Sequence, residues 1–518
     1  MKKTHRINIF IKNHWTSLIS ITIYFALIKL LIHLFTNGQY GYFRDELYYL
    51  ASSEHLDWGY VDFAPLVALI TKFTTTLLGT SLPAIRFLPA IAGALKVLLT
   101  GLIVKEFGGS RFAVTLACLS VLVAPVYLGI DTLLSMNAFE PVFWMGTVYF
   151  IILAVNRSEP RFWLGAGVLA GLGIMNKHPM LLFILGIFIG FLLTKERRFL
   201  SDRWFRAAGL ITFLIFLPNI IWQYQHNWPM IEVILNVAAT GKNVVLSPLE
   251  FVLSQFMIFH PLTAPVWIAG LWFFFFDEQG KRYRMFGIAY MVILAVMLVT
   301  NSKHYYIQAS YPMLFAGGAV FWEKLWQGKH YVKWLKPTYL AVLAIGGAVF
   351  APMALPVLSV DDFLTYQRLG FEPPKTEVGH IGPLPQSYGD MFGWPEMVET
   401  VAKVYNNLPP EERAKAAIAA KNYGEAGAID FFGPSHGLPK AISGHQNYYL
   451  WGPRNYTGEV LILLGWSKEV PEWFCGSVEE SEEVGHPYAM RYEHYTILIC
   501  RDLKGGLQES WPLWKNWN

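Results

Sequence analysis

Charge is what this sequence has least of. Asp, Glu, Lys and Arg together make up 15% of the 518 residues while hydrophobic residues make up 54%, and mean hydropathy is +0.35. A soluble domain carries about 25% charge, so a wholly soluble chain built on one core is excluded. The net charge of +4 comes without a polybasic tail, which leaves no electrostatic footprint for nucleic acid. Cysteine is nearly absent, at three residues with no CxxC pair, so a cysteine-based zinc site has no support. There is no internal repeat, and no low-complexity segment beyond the irregular linker FEPPKTEVGHIGPLPQ.

Apolar runs take the place of charge. The pattern predicts eleven membrane spans, at 15–35, 83–104, 112–130, 137–155, 162–175, 179–194, 207–222, 249–276, 285–300, 310–322 and 338–357. The first of these suffices to cross a hydrocarbon core of roughly 30 Å at 1.5 Å per residue. No small-residue cleavage site follows it, so it reads as retained. With the N-terminus inside, roughly 20 Lys and Arg fall on inner segments against 6 on outer loops, a positive-inside bias that makes the first loop outward-facing. The expectation is a multi-pass protein of the cell (inner or plasma) membrane, cytoplasmic at its N-terminus. Residues 1–357 form an all-α polytopic membrane domain with an outer loop at 37–82, and residues 358–518 an extracytoplasmic α/β domain.

In that second part, AAIAA, VLILLG and TILIC read as buried strands, alternating with helical stretches at 394–407 and 425–432. Cys118 falls in a span as a small hydrophobe. Cys475 and Cys500 lie on the oxidising side, either bridged or as two free thiols.

The outer loops hold the only dense polar chemistry of the membrane half. The first, YFRDELYYLASSEHLDWGYVDFAP, carries Arg44, Asp45, Glu46, Tyr48, Tyr49 and Asp62; later ones bring Asp131, Glu140, Lys177, His226, Lys303, His304 and Tyr305. Asp45 reads either as a helix-start carboxylate, offsetting the helix dipole by about 0.3–1 kcal/mol, or as a general base. Lys177, before Pro179 at the outer start of a span, is either a snorkelled anchor or a cation for an anionic group at a helix N-terminus. Lys303 with His304 is a second such candidate, and Arg44 a third unless it pairs locally with Glu46. Asp45, Glu46, Asp62, His55 and Glu140 offer ligands for a divalent metal but no fixed-spacing signature. Asp131 and Glu140 are equally suited to sugar hydroxyls or to plain solvation, and His226 to a turn.

FRDELYYLASSEHLDWGYVD followed by PL, then SMNAFEPVFW, AGLGIMNKHPMLL, QHNWP and KHYYIQASYP, with DMFGWPEMV, NYGEAGAIDFFG and ISGHQNYYLWGP further on, resemble in order and spacing glycosyltransferase family 39. This is the branch of the GT-C type membrane glycosyltransferases that contains protein O-mannosyltransferases and lipid A aminoarabinose transferases. The resemblance implies transfer of a sugar from a polyprenyl-phosphate donor to an envelope glycan, lipid or protein at the outer leaflet. It puts the catalytic acidic loop on Asp45 and Glu46, with Asp45 the general base, and a second carboxylate on Asp62. Arg44, Lys177, Lys303 and His304 are then candidates for the donor phosphate, and Tyr48, Tyr49, Glu140 and Tyr305 for the substrate pocket. In the aminoarabinose transferases a lysine follows the second carboxylate, whereas Phe63 stands here.

Donor chemistry alone asks for the same three things: a base for the acceptor hydroxyl, a cation for the developing phosphate charge, and a dry site. The competing class is a transporter or flippase of lipid-linked sugars. It predicts ionisable groups near the midplane and related halves, against span interiors that read as largely apolar.

Overall fold

The computed structural model describes residues 17–157, 159–329, 332–371, 375, 377–379, 381–469 and 471–518. Helix α1, Leu18–Thr36, begins where Ser17 accepts the Ser20 N–H at 3.1 Å. Its Ile23, Leu27, Leu31 and Phe35 are exposed, as a lipid-facing stripe must be. After the short helix α2, Arg44–Ser53, and α3, Leu66–Leu78, the chain enters α4, Leu82–Glu106. Helices α5, Arg111–Val123, α6, Met136–Arg157, α7, Phe162–Asn176, and α8, Met180–Leu192, follow. Then come α9, Arg203–Gln225, α10, Pro229–Thr240, α11, Pro248–Ile258, and α12, Ala264–Phe276. The series closes with α13, Arg284–Val299, α14, Tyr311–Leu325, and α15, Val332–Phe350. The bundle packs tightly where small residues face neighbours: a Cβ on Gly190 would lie 2.6 Å from the Met285 carbonyl, so α8 and α13 touch backbone to backbone.

Among the described residues six helices are long and apolar enough to cross a membrane, or seven if the bent pair of α11 and α12 is one span. The eleven expected crossings therefore differ from the helices found. The expected span 249–276 is bent by 97°, because His260 takes φ +75° and Pro261 follows it. The run 112–130 breaks at Ala124, extended before Pro125. Helices α5, α7 and α8, at 13, 15 and 13 residues, reach only about 20–23 Å at 1.5 Å per residue. Two segments expected as loop, 66–78 and 229–240, are helical. Residues 15 and 16, at the head of the first expected span, lie outside the described residues.

Span interiors are also less apolar than expected. Lys29 and His33 on α1 and Lys96 on α4 are fully buried, and both lysines pair with Asp131, at 3.1 and 2.8 Å. Ionisable groups at such depth survive when paired.

From residue 416 onward a four-stranded sheet forms in the order β1-β2-β4-β3: β1, Ala416–Ala420, β2, Val460–Leu464, β3, Ser477–Val484, and β4, Tyr495–Arg501. β1 and β2 are parallel and the other pairings antiparallel. β1 and β2 are buried throughout, as their continuous apolar runs require. β3, SVEESEEV, gave no strand signal; it is the charged edge that protects the sheet. Helices α16, Val360–Arg368, and α17, Trp394–Asn407, precede the sheet, and α18, Tyr423–Phe432, joins β1 to β2. Cys475 and Cys500 are bridged, with Cα atoms 5.6 Å apart, and Cys118 is buried and free.

Candidate active site

Asp45 sits in the first turn of α2, whose start is fixed by its neighbour. Glu46 Oε2 accepts the Phe43 N–H at 2.9 Å, a reach-back that satisfies an orphan donor of the helix N-terminus. Glu46 also accepts Arg86 Nε on Oε1 at 2.9 Å, Arg86 Nη2 on Oε2 at 2.7 Å and the Leu134 N–H on Oε1 at 2.9 Å. Both side chains of this pair are sealed from solvent. Glu46, expected among the catalytic carboxylates, is thus a clamp that fastens α2 to the head of α4 and to the 131–135 turn. The local Arg44–Glu46 pair does not form.

One residue earlier, Asp45 faces the sheet domain. Tyr423 Oη, from the first turn of α18, donates to Asp45 Oδ1 at 2.8 Å. Tyr48 Oη donates to Asp62 Oδ1 at 2.9 Å. The rings of Tyr48 and Tyr423 stack with centroids 4.4 Å apart, so two carboxylates are held by one pair of stacked phenols, one from each half of the chain. Asn447 completes the arrangement: its Nδ2 donates to Tyr48 Oη and, at 3.3 Å, to Asp62 Oδ1, and its Oδ1 accepts the Val61 N–H at 2.8 Å.

Burial pushes Asp62 up to about 7, with the charge of Asp45 adding to the rise and the Tyr48 hydrogen bond opposing it. Asp45 is also raised. Burial is the main cause, Arg44 and the Tyr423 bond pull the other way, and Asp390 and Glu377 reinforce it. The Asp45 side chain is still 34% exposed, so it is walled by protein yet reachable. A carboxylate so placed is a better proton acceptor at neutral pH than an ordinary aspartate.

The cation candidates separate. Lys303 pairs with Glu377 at 14% and 10% exposure. Burial works against its charge, but Tyr306 and Glu377 outweigh this and leave its pKa raised, with Asp45 contributing. Lys177 Nζ donates to Asn137 Oδ1 at 2.8 Å and Glu140 Oε2 at 3.1 Å, and lies 4.4 Å from the centre of the Tyr306 ring. Tyr306 therefore joins the two lysines. Arg44 is committed to the sheet domain instead: its Nη1 donates to Tyr492 Oη at 3.0 Å, and Asp390 stands 3.9 Å from Nε. His304 is pushed down to about 4, by burial first and then by Lys303, so at neutral pH it offers an anion an N–H rather than a charge.

Other expected residues fall elsewhere. Tyr48 and Tyr49 are 2% and 3% exposed and pack edge-on to Phe63, so they are wall rather than lining. Tyr305 is half-buried beside Tyr306, at 4.9 Å between ring centres. Glu140 is engaged by Lys177 and, at 3.2 Å, by Gln308 Nε2. Asp131 belongs to the Lys29–Lys96 cluster, away from any sugar role. His55 stacks on Trp451, and His226 on Trp222 at a helix end. Among the described residues no three His, Cys, Asp or Glu side chains converge on a metal position, and the proposed ligand set is dispersed by the pairings above. Not among the expected site residues were Tyr423, Asn447 and Glu377. The first two stood in NYGEAG and HQNYYLWGP, and Glu377 in the linker.

The family model described as dolichyl-phosphate-mannose-protein mannosyltransferase matches residues 62–222, from Asp62 through the helices bearing Arg86, Glu140 and Lys177. No curated protein matches the chain. Among solved structures, ArnT from Cupriavidus metallidurans bound to undecaprenyl phosphate is similar at TM-score 0.58 and 13% identity, covering 92% of this chain and 97% of that one. The apo state of the same protein gives 0.55 and 13%, over 96% and 98%. The apo oligosaccharyltransferase of Archaeoglobus fulgidus gives 0.50 and 12%, over 81% and 63%. The chain thus has the GT-C architecture of multi-pass membrane proteins, with a small sheet domain after the helices.

Proposed function

We propose that this GT-C protein transfers a sugar from a polyprenyl-phosphate donor to an acceptor on the outer face of the membrane. A GT-C type glycosyltransferase is what the family match and the fold support, and the undecaprenyl phosphate bound to ArnT supports the donor class. The observation that carries the reading is the pair Asp45 and Asp62, held by stacked tyrosines, with Lys303 near enough to feel the charge of Asp45 and Lys177 seated over the Tyr306 ring.

In this reading Asp45 takes the proton of the acceptor hydroxyl as it attacks the anomeric carbon. Lys303 and Lys177 stabilise the charge that grows on the departing phosphate. Asp62, with a raised pKa and held in place by Tyr48 and Asn447, orients the sugar. The acceptor is an envelope glycan, lipid or protein. The N-terminus is cytoplasmic, the membrane is the inner or plasma membrane, and the chain divides near residue 358 into a transmembrane and an outer part. The Lys and Arg asymmetry supports this orientation. For the transporter alternative the buried lysines offer little, since Lys29 and Lys96 are sealed against Asp131 with no exposure.

Envelope glycolipids and glycoproteins compared by mass spectrometry with and without the protein identify acceptor and sugar. With that pair in hand, Asp45→Asn keeps the shape and removes the base. A loss of about 100- to 10,000-fold in transfer is expected, and full activity in folded, inserted Asp45→Asn protein eliminates the mechanism. An alkaline phosphatase fused after Val360 should be active outside; activity after Arg206 instead would reverse the orientation.

A further inference from the structure

Glu377 is a carboxylate in an odd place. Its backbone forms an antiparallel bridge with Asn243, and the adjacent Val378 N–H donates to the Lys242 carbonyl at 3.1 Å. This stitches the linker to the connection between α10 and α11, so the side chain is held deliberately. It lies on Lys303, nearly buried, and its charge is felt by Lys242 and by Asp45. Lys242, on the connection between α10 and α11, feels this charge while its Nζ donates to the Asn518 backbone oxygen at 3.3 Å.

For a base at Asp45 this neighbour is a handicap, because a second carboxylate nearby discourages ionisation. Without Glu377, Lys303 would lose its paired anion in a poorly solvated space. The protein supplies that anion where its charge reaches Asp45, and where a departing phosphate belongs in the proposed reaction.

We propose that Glu377 is a built-in occupant of an anion seat on Lys303, and that the monophosphate of the lipid donor displaces it. The inference rests on the glycosyltransferase reading for the identity of the anion. The exchange asks only for the Glu377 side chain to swing off Lys303 while the backbone bridge to Asn243 stays. No bond is made or broken. The seat trades one anion for another, so Lys303 stays paired before, during and after donor binding, and the protein spends part of the donor's intrinsic affinity on expelling the carboxylate.

The test is equilibrium binding of farnesyl phosphate and of inorganic phosphate to the purified full chain in detergent, independent of any sugar transfer. Glu377→Gln keeps the shape and removes the competing charge. It should bind farnesyl phosphate more tightly than the unaltered protein, by about 5- to 20-fold if the occupied seat holds most of the population. Glu377→Asp, with a shorter reach to Lys303, should show a smaller gain and serves as a second variant should the first misfold. Lys303→Ala in the Glu377→Gln background should erase the gain. Unchanged or weaker binding by both folded variants overturns the proposal, as does a gain confined to inorganic phosphate. If the unaltered protein transfers sugar while neither variant gains affinity, the seat fails and the glycosyltransferase reading stands. If the gain appears but no sugar is ever transferred, the reading fails and the seat is an anion site of another kind.

Discussion

At the scale of single residues the site turns on how Asp45 is tuned. Burial raises its pKa while Arg44 and the Tyr423 hydrogen bond lower it, so Tyr423 keeps the base ionised at lower pH than its surroundings would allow. Tyr423→Phe removes that bond and leaves the ring stack on Tyr48. A hydrogen bond to a charged group contributes about 1.5–3 kcal/mol, and one pKa unit is about 1.4 kcal/mol. The Asp45 pKa should therefore rise by about one unit or more. Because the base form is the active one in the proposed reaction, the acid limb of the pH–rate profile moves to higher pH, with a large loss at low pH that recovers as pH rises. Equal loss at every pH would mean that Tyr423 only packs.

At the scale of elements, two buried ion clusters align the helices that carry the site. Asp131 joins α1 to α4 through Lys29 and Lys96, and three residues on, Leu134 meets Glu46 and through it Arg86. Fit is tight enough that a Cβ on Gly93 would stand 2.6 Å from Asp131 Oδ2. Asp131→Asn leaves two buried lysines without a counter-charge, a defect that costs about 3–5 kcal/mol. A fall in thermal midpoint in detergent larger than that of Asp45→Asn is expected; an equal midpoint would show the cluster to be neutral already. Here the sequence was legible only in part. Runs of apolar residues announced the bundle, and AAIAA and VLILL the central strands, because burial on all sides leaves a continuous hydrophobic signature. Breaks at Pro125 and Pro261 are set locally, at the residue before each proline, inside apolar runs that continue on both sides of the break, and the edge strand β3 is charged to protect the sheet from association, so none of the three leaves a periodic apolar trace. The FRDELYYL loop singled out Asp45, but Glu46 beside it gave no sign that Arg86, 40 positions later, would absorb it.

For the whole molecule the consequence is that the sheet domain belongs to the site rather than hanging beside it. Asp45, Asp62 and Arg44 come from the membrane half, while Tyr423, Asn447, Tyr492 and Asp390 come from the other. The two halves meet where α18 lies on α2: a Cβ added at Gly427 would sit 2.9 Å from the Leu47 carbonyl carbon and 3.0 Å from its oxygen. Backbone cannot yield as a flexible side chain does, so Gly427→Val must push α18 away and carry Tyr423 off Asp45. Displacement of about 1 Å at a reacting group costs on the order of 100-fold. Transfer should fall by about that factor while protease protection of the membrane helices stays as in the unaltered protein, since nothing in α1 or α4 is touched. Gly427→Ala, with one side-chain carbon in place of three, should lose less. The order of the two variants matters more than either value: steeper loss with larger side chain means that precise apposition of the halves builds the site, whereas wild-type transfer by Gly427→Val would make Tyr423 and Asn447 bystanders and return the chemistry to the membrane domain alone.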